Sequence, residues 1–219
     1  MQILLVAATE MEIQPFLNKK PAADFLITGV GCPATVYHLA KRVHQIDYDL
    51  VIQAGIAGSF SRSIQLADVV LVKQDSFADI GIAEKGRLYS IFEKGLGDEN
   101  AFPYNKGWLQ NNGEFIDHFP FTKVKAVTVN TVTDNEMQIN QLISKFDPDI
   151  ESMEGAALHY VSLQESVPFI QLRAVSNYVG ERDKEKWKMK EAVLNLNAAL
   201  ITIFDRLVSE PSNLIDQSK

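Results

Sequence analysis

Three polar residues of this 219-residue chain have surroundings that suit chemistry: Glu12, Glu154 and Asn177. Glu12 follows the apolar run Gln2–Ala8 by way of Thr9-Glu10-Met11. Glu154 sits among small residues in Glu151–Ala157, ESMEGAA. Asn177 ends the apolar run of Pro168–Glu181, PFIQLRAVSNYVGE, in the polar cluster Ser176-Asn177-Tyr178. A carboxylate such as Glu154 can accept hydrogen bonds from two neighbouring hydroxyls, as on a ribose, whereas an amide both donates and accepts. In an open α/β sheet, ligands bind outside the carboxyl ends of the strands. Two strand ends bearing Glu154 and Asn177 could therefore grip two halves of one polar ligand, with Glu12 brought to the same place. Each residue also has a plainer reading. Thr9 with Glu12 three residues on is a capping box, so Glu12 could only tie back a helix start. Glu154 could be a first-turn acid favoured by the helix dipole, as Glu10 is.

The elements that would position these groups alternate. Short apolar runs at Gln2–Ala8, Phe25–Thr28, Leu50–Ala54, Ala67–Gln74, Lys123–Val132 and Pro168–Tyr178 read as strands. Helices are expected after Thr9, over Ala34–Gln45, over Asn135–Phe146 behind an Asp134 cap, and over Met153–Gln164 behind a Ser152 cap. The last helix has apolar residues at Met189, Val193, Leu196, Leu200, Ile203 and Leu207, spaced three and four apart. This is an α/β pattern, predicting three α/β/α layers around a mostly parallel or mixed twisted sheet. A single domain over 1–210 with a disordered tail at 211–219 is expected.

The turn Gly55-Ile56-Ala57-Gly58-Ser59 is expected to present free backbone N–H groups beyond a strand end. It lacks the lysine of a P-loop, which disfavours a nucleoside triphosphate. Gly29-Val30-Gly31 is a poor dinucleotide fingerprint and reads better as a tight strand–helix turn. Cys32, in that turn, reads as a small buried residue. Residues 79–123 break the pattern and are rich in aromatics; they are expected to cover an interface or a pocket, against the plainer reading of an excursion packing its own rings.

Composition narrows the partners. A net charge of −7 without a basic run disfavours nucleic acid. No apolar stretch reaches the roughly 18 residues of a membrane span, and the start lacks a signal-peptide pattern. One cysteine forms no internal disulfide. A cytoplasmic protein is expected. The four histidines are scattered without metal-ligand spacing, and no Gly-x-Ser-x-Gly elbow occurs.

Glu10-Met11-Glu12, Gly29-Val30-Gly31, the Ala54–Gly58 segment, Ser152–Ala157 and Arg173-Ala174-Val175-Ser176-Asn177 together resemble the nucleoside phosphorylase/nucleosidase superfamily, of the methylthioadenosine/S-adenosylhomocysteine nucleosidase type. The resemblance spans nearly the whole chain. It implies that Glu12 activates a water, that Met153 lines the pocket, that Glu154 holds the ribose 2′- and 3′-hydroxyls, and that the end of Ser176-Asn177 meets the purine. It also implies substrate contacts at Ala54, Gly55, Ile56, Thr131, Val132 and Ser152. Adenosine-type nucleosidases have Asp at position 177. The Asn here, with Tyr178-Val179, Arg182–Trp187 and Asn195-Leu196-Asn197, is more similar to the futalosine hydrolase branch, which releases hypoxanthine on a route to menaquinone. An Asn amide can donate to O6 of hypoxanthine but cannot deliver a proton. The implied chemistry is N-glycosidic hydrolysis needing no metal or organic cofactor, in a homodimer. The competing readings are hydrolysis of an adenine nucleoside, phosphorolysis (disfavoured by the lack of an Arg in the turns after the first and third strands), and a non-catalytic nucleoside-binding module.

Overall fold

The computed structural model describes residues 1–209; the expected tail at 211–219 lies outside the described residues, as do the side chains of Glu114 and Phe115. In chain order the elements are β1 (Ile3–Ala7), α1 (Glu10–Leu17), β2 (Asp24–Ile27), α2 (Cys32–Val43), β3 (Leu50–Ser59), β4 (Val69–Phe77), β5 (Gly81–Glu84), β6 (Arg87–Ser90), β7 (Leu109–Gln110), β8 (Thr122–Thr128), α3 (Glu136–Phe146), β9 (Ile150–Ser152), α4 (Gly155–Gln164), β10 (Phe169–Tyr178) and α5 (Met189–Ser209).

The sheet is mixed. β2, β1, β3 and β10 run parallel in that order, and β10 continues antiparallel to β4. β4 is parallel to β8, β8 to β9, and β9 returns antiparallel to the end of β3. β3, β10, β4, β8 and β9 therefore close a ring. Its interior is filled by one or two side chains from each strand: Ala57, Val175, Val70 and Val72, Val124 and Ala126, and Ile150.

Helices cover both outer faces, giving the three layers expected. α1 and α5 pack on one face, where Ile13, Phe16, Leu196, Leu200, Ile203 and Leu207 meet Leu5, Ile52 and Leu172. Burying each such side chain contributes about 1.5–3 kcal/mol, which is why the three–four spacing of α5 makes a core helix. α2 and α4 pack on the other face through Leu39, Leu158 and Val161 against Leu4, Val6 and Val51.

Three local expectations are corrected. The segment Gly55–Ser59 is not a turn: β3 runs straight through it, paired with Arg173–Tyr178 of β10. The glycine at 55 answers to close approach, since a Cβ there would fall 2.3 Å from an Arg173 nitrogen and 3.0 Å from Glu12 Oε1. At α3 the cap is Asn135, whose side chain accepts from the Gln138 N–H, rather than Asp134. At α4 the helix begins at Gly155, because Ile150–Ser152 is drawn into the sheet as β9.

The rings of the aromatic excursion pack on one another and on α3 and α4 of the main body. Phe92 meets Tyr104, Tyr104 meets Tyr160, and Trp108 meets Phe146. Phe119 is buried in the core, and Phe102 stands exposed.

Candidate functional site

β1, β3 and β10 are parallel, so their carboxyl ends open on one side. A cavity of about 270 Å³ lies there, and Glu12, Glu154 and Asn177 all line it.

Glu12 comes from the first turn of α1. Its carboxylate closes the capping box and also lines the cavity. Its Oε2 accepts from Thr9 N–H at 3.0 Å and from Thr9 Oγ1 at 2.9 Å, which closes the capping box. Its Oε1 accepts from Ile56 N–H of β3 at 3.1 Å and faces the cavity. The helix itself is anchored by Asn197 of α5, a buried amide that accepts from Phe16 N–H at 2.8 Å and donates to the Glu12 carbonyl at 2.8 Å. Pro15 interrupts the α1 ladder, and this long-range amide supplies what the short helix lacks. The anchoring role of Asn197 leaves no local mark in the sequence, because its partners lie 181 and 185 residues away.

Glu154 occupies the N-cap position of α4, yet its carboxylate makes no cap bond. Ser152 Oγ serves the helix instead, accepting from Gly155 N–H. This frees Glu154 from the first-turn reading. Its Oε1 accepts from Gly31 N–H at 2.9 Å, and its Oε2 lies 3.7 Å from the Arg173 guanidinium. Gly31, with φ of 94°, is what lets that N–H turn inward at the start of α2. Arg173 is 1% exposed, donates to Gln53 Oε1 at 2.6 Å, and stands behind the cavity as a fixed positive charge. Arg173, a member of the Arg173–Asn177 motif, is thus the counter-charge of Glu154.

Asn177 sits at a bulge at the end of β10. Its Oδ1 accepts from Ser176 Oγ at 2.8 Å and its Nδ2 donates to the Tyr178 carbonyl at 3.1 Å, leaving one Nδ2 hydrogen for a ligand. The strap after β10 folds back over this end: Trp187 Nε1 donates to the Glu181 carbonyl and Lys188 N–H to the Ser176 carbonyl.

Of the remaining expected contacts, Ile56, Val132, Ser152, Met153 and Ser176 line the same cavity. Ala54, Gly55 and Thr131 do not. Ala54 is wholly buried in the sheet core, and Gly55 is the spacer between Glu12 and Arg173. Thr131 is exposed and borders a separate hollow with Arg87, Met137 and Gln141. Cys32 is buried, donates to the Met153 carbonyl, and has its thiol pushed up to about 12 by burial, so it is inert at neutral pH.

Two buried acids were not anticipated. Asp75, wholly buried in β4, accepts from Thr128 Oγ1, Ser76 N–H and Gln171 Nε2, and burial pushes it up to about 7. Glu151 of β9 lines the cavity itself, and burial likewise pushes it up to about 7. Neither is betrayed by local sequence, because each is buried by strand register. No cluster of His, Cys, Asp and Glu fit to hold a metal occurs among the described residues.

A family model described as the phosphorylase superfamily matches residues 25–209. Futalosine hydrolase of Thermus thermophilus is 28% identical over 94% of this chain and 95% of its own length. The 5′-methylthioadenosine/S-adenosylhomocysteine nucleosidase of Listeria welshimeri is 26% identical over 83% of this chain and 88% of its own length. Among solved structures, S-adenosylhomocysteine nucleosidase from Streptococcus pyogenes in complex with 5-methylthiotubericidin superposes with a TM-score of 0.79 at 18% identity, over 94% of this chain and 97% of that one. A futalosine hydrolase mutant of Helicobacter pylori superposes with a TM-score of 0.78 at 15% identity, over 94% of this chain and all of that one.

Proposed function

The chain belongs to the phosphorylase superfamily, and from that premise we propose that it hydrolyses the N-glycosidic bond of futalosine and releases hypoxanthine. One arrangement carries this reading: two buried carboxylates, Glu12 and Glu154, and the Asn177 amide share one cavity at the open ends of parallel strands. The similarity to Thermus thermophilus futalosine hydrolase over nearly the whole chain supports the same choice of substrate.

In this reading Glu12 is the general base. With Oε2 tied to Thr9, Oε1 is left to take a proton from a water beneath C1′, a step that contributes about 10²–10⁴-fold. Glu154 accepts from the ribose hydroxyls and steadies the ring as positive charge builds, with the Arg173 guanidinium beside it as counter-charge. Asn177 offers its free Nδ2 hydrogen to O6 of the base. Ile56, Val132, Ser152, Met153 and Ser176 are assigned to substrate contact. The enzyme acts in the cytoplasm, in the menaquinone route, as a homodimer. The exposed apolar residues of the excursion, Ile80, Ile82, Leu96 and Phe102, are the surface for that pairing, and a monomer by light scattering at micromolar concentration would remove it.

The test is incubation with futalosine, inosine and methylthioadenosine, with and without phosphate. Phosphate-independent release of hypoxanthine from futalosine is expected. Release of adenine instead would transfer the assignment to the adenine nucleosidases, phosphate dependence would make the protein a phosphorylase, and no free base would leave a binding module.

A further inference from the structure

Glu151, Gly58 and Asn177 stand in one row across three neighbouring strands. β9 pairs with β3 at Glu151 and Gly58, and β3 pairs with β10 at Gly58 and Asn177. Residues opposite one another on adjacent strands project to the same face of a sheet. At the centre of this row there is no side chain. A Cβ on Gly58 would stand 3.2 Å from Val179 Cγ2 and 3.4 Å from both Asn177 Nδ2 and Glu151 Cγ. Glu151, Asn177 and the Val179 methyl thus wall a slot whose floor is Gly58, and the slot opens into the cavity that holds Glu12 and Glu154.

Glu151 is otherwise unused. It is 5% exposed, and among the described residues its Oε2 has no hydrogen-bond partner. Nothing in the fold requires an acid there, and a buried polar atom without a partner costs stability unless a ligand supplies one. The charged groups sharing its cavity are Glu12, Glu154 and Glu181, all acidic, and Arg182. Arg182 is exposed and draws the carboxyl down less than burial raises it, so the acid keeps its proton up to about pH 7.

We propose that Glu151 is the general acid of the reaction, delivering its carboxyl proton to N7 of the departing 6-oxopurine while Asn177 Nδ2 donates to O6. This rests on the hydrolase reading above, and it supplies the one step that an amide at 177 cannot perform. As the C1′–N9 bond breaks, its electron pair passes into the imidazole ring and N7 takes the Glu151 proton, so the base leaves neutral. The water oxygen forms the new bond to C1′, and its proton passes to Glu12. One water is consumed, Glu151 ends ionised and Glu12 protonated, and exchange with solvent restores both.

Glu151→Gln tests this with two substrates and a pH series. Futalosine needs a protonated leaving group; 4-nitrophenyl β-D-ribofuranoside does not, because nitrophenolate leaves unaided. The variant should lose at least about a hundredfold more kcat/KM on futalosine than on the nitrophenyl riboside. The native enzyme should lose kcat/KM on futalosine as pH rises through the Glu151 pKa, and the variant should lack that limb. Equal losses on the two substrates, an unaltered rate on futalosine, or an alkaline limb that persists in the variant would each overturn the assignment. The underlying reading fails separately: a native protein that frees no base from futalosine ends both, whereas native turnover with an indifferent variant ends only this one.

Discussion

Ile56 N–H donates to Glu12 Oε1 at 3.1 Å across 44 residues of chain, so the first helix and the third strand share one carboxylate. With the two Thr9 donors on Oε2, three protein donors converge on this group before any water approaches. A carboxylate has acceptor capacity to spare, whereas an amide has one oxygen.

Glu12→Gln should therefore do two things. It should lower kcat by about 10²–10⁴-fold, since the amide takes no proton from water. It should also cost about 1–3 kcal/mol of stability, since one of the converging donors faces an NH₂ group. Product binding should survive. Single-turnover rates beside urea midpoints would check both, and near-native turnover would reduce Glu12 to a helix cap.

Arg173 and Glu154 test the ribose side. Arg173→Met removes the guanidinium from a carboxylate that is 6% exposed, leaving a charge with only Gly31 N–H for company. Breaking a buried pair from one side costs about 3–5 kcal/mol, which a denaturant titration would read directly. Glu154→Gln is milder for the fold, but should raise KM and lower kcat together, because an NH₂ group, which only donates, replaces one of the two oxygens that serve Gly31 and the ribose hydroxyls. The native enzyme should already favour a ribo- over a 2′-deoxyribonucleoside; indifference to the 2′-hydroxyl would mean that Glu154 binds Arg173 and Gly31 and nothing more.

How much of this was legible before the fold depended on range. The strands were readable because each is an apolar run, and α5 because its stripe has helical spacing. Glu12, Glu154 and Asn177 were readable because each follows such a run. Gly55 and Gly58 read in sequence as a turn, because a glycine pair signals flexibility, yet β3 runs through both. Here the reasons are an arginine at 173 and a glutamate at 151, set opposite them by strand pairing. The closure of five strands into a ring, which buries Asp75 and Glu151, is a property of register and leaves no local mark.

Those buried groups predict a pH dependence of stability with opposed signs. Asp75 is raised from 3.8 to about 7, so its contribution is complete below the unfolded value and is lost as pH rises through 7. His159 is lowered from 6.5 to about 4 by burial, so its contribution is present above 6.5 and is lost as pH falls through 4. At about 1.4 kcal/mol per pKa unit, Asp75 alone has a ceiling of about 4 kcal/mol. Asp75→Asn removes that slope. The native protein's advantage over the variant should shrink between pH 4 and 7 and stay constant above it. Urea midpoints across that range would show this, and a constant difference would mean that Asp75 stays ionised in the fold.

Asn177→Asp tests the base assignment. In the native protein the Asn177 Nδ2 donates to the Tyr178 carbonyl and its second hydrogen is free for O6 of a 6-oxopurine. An ionised carboxylate in its place sets an oxygen against that carbonyl and against O6, with no hydrogen for either. Each unmet contact costs about 1–3 kcal/mol, roughly ten- to hundredfold in rate. The variant should therefore lose futalosine cleavage by about that factor at neutral pH. The same repulsion favours the protonated acid, which can donate to N7 of adenine directly. Activity toward the matching 6-aminopurine nucleoside should rise, and rise further as pH falls. The measurement is kcat/KM for both bases in both proteins across pH. An unchanged base preference would mean that Asn177 does not read the purine, and the choice of hypoxanthine as leaving group would lose its physical support.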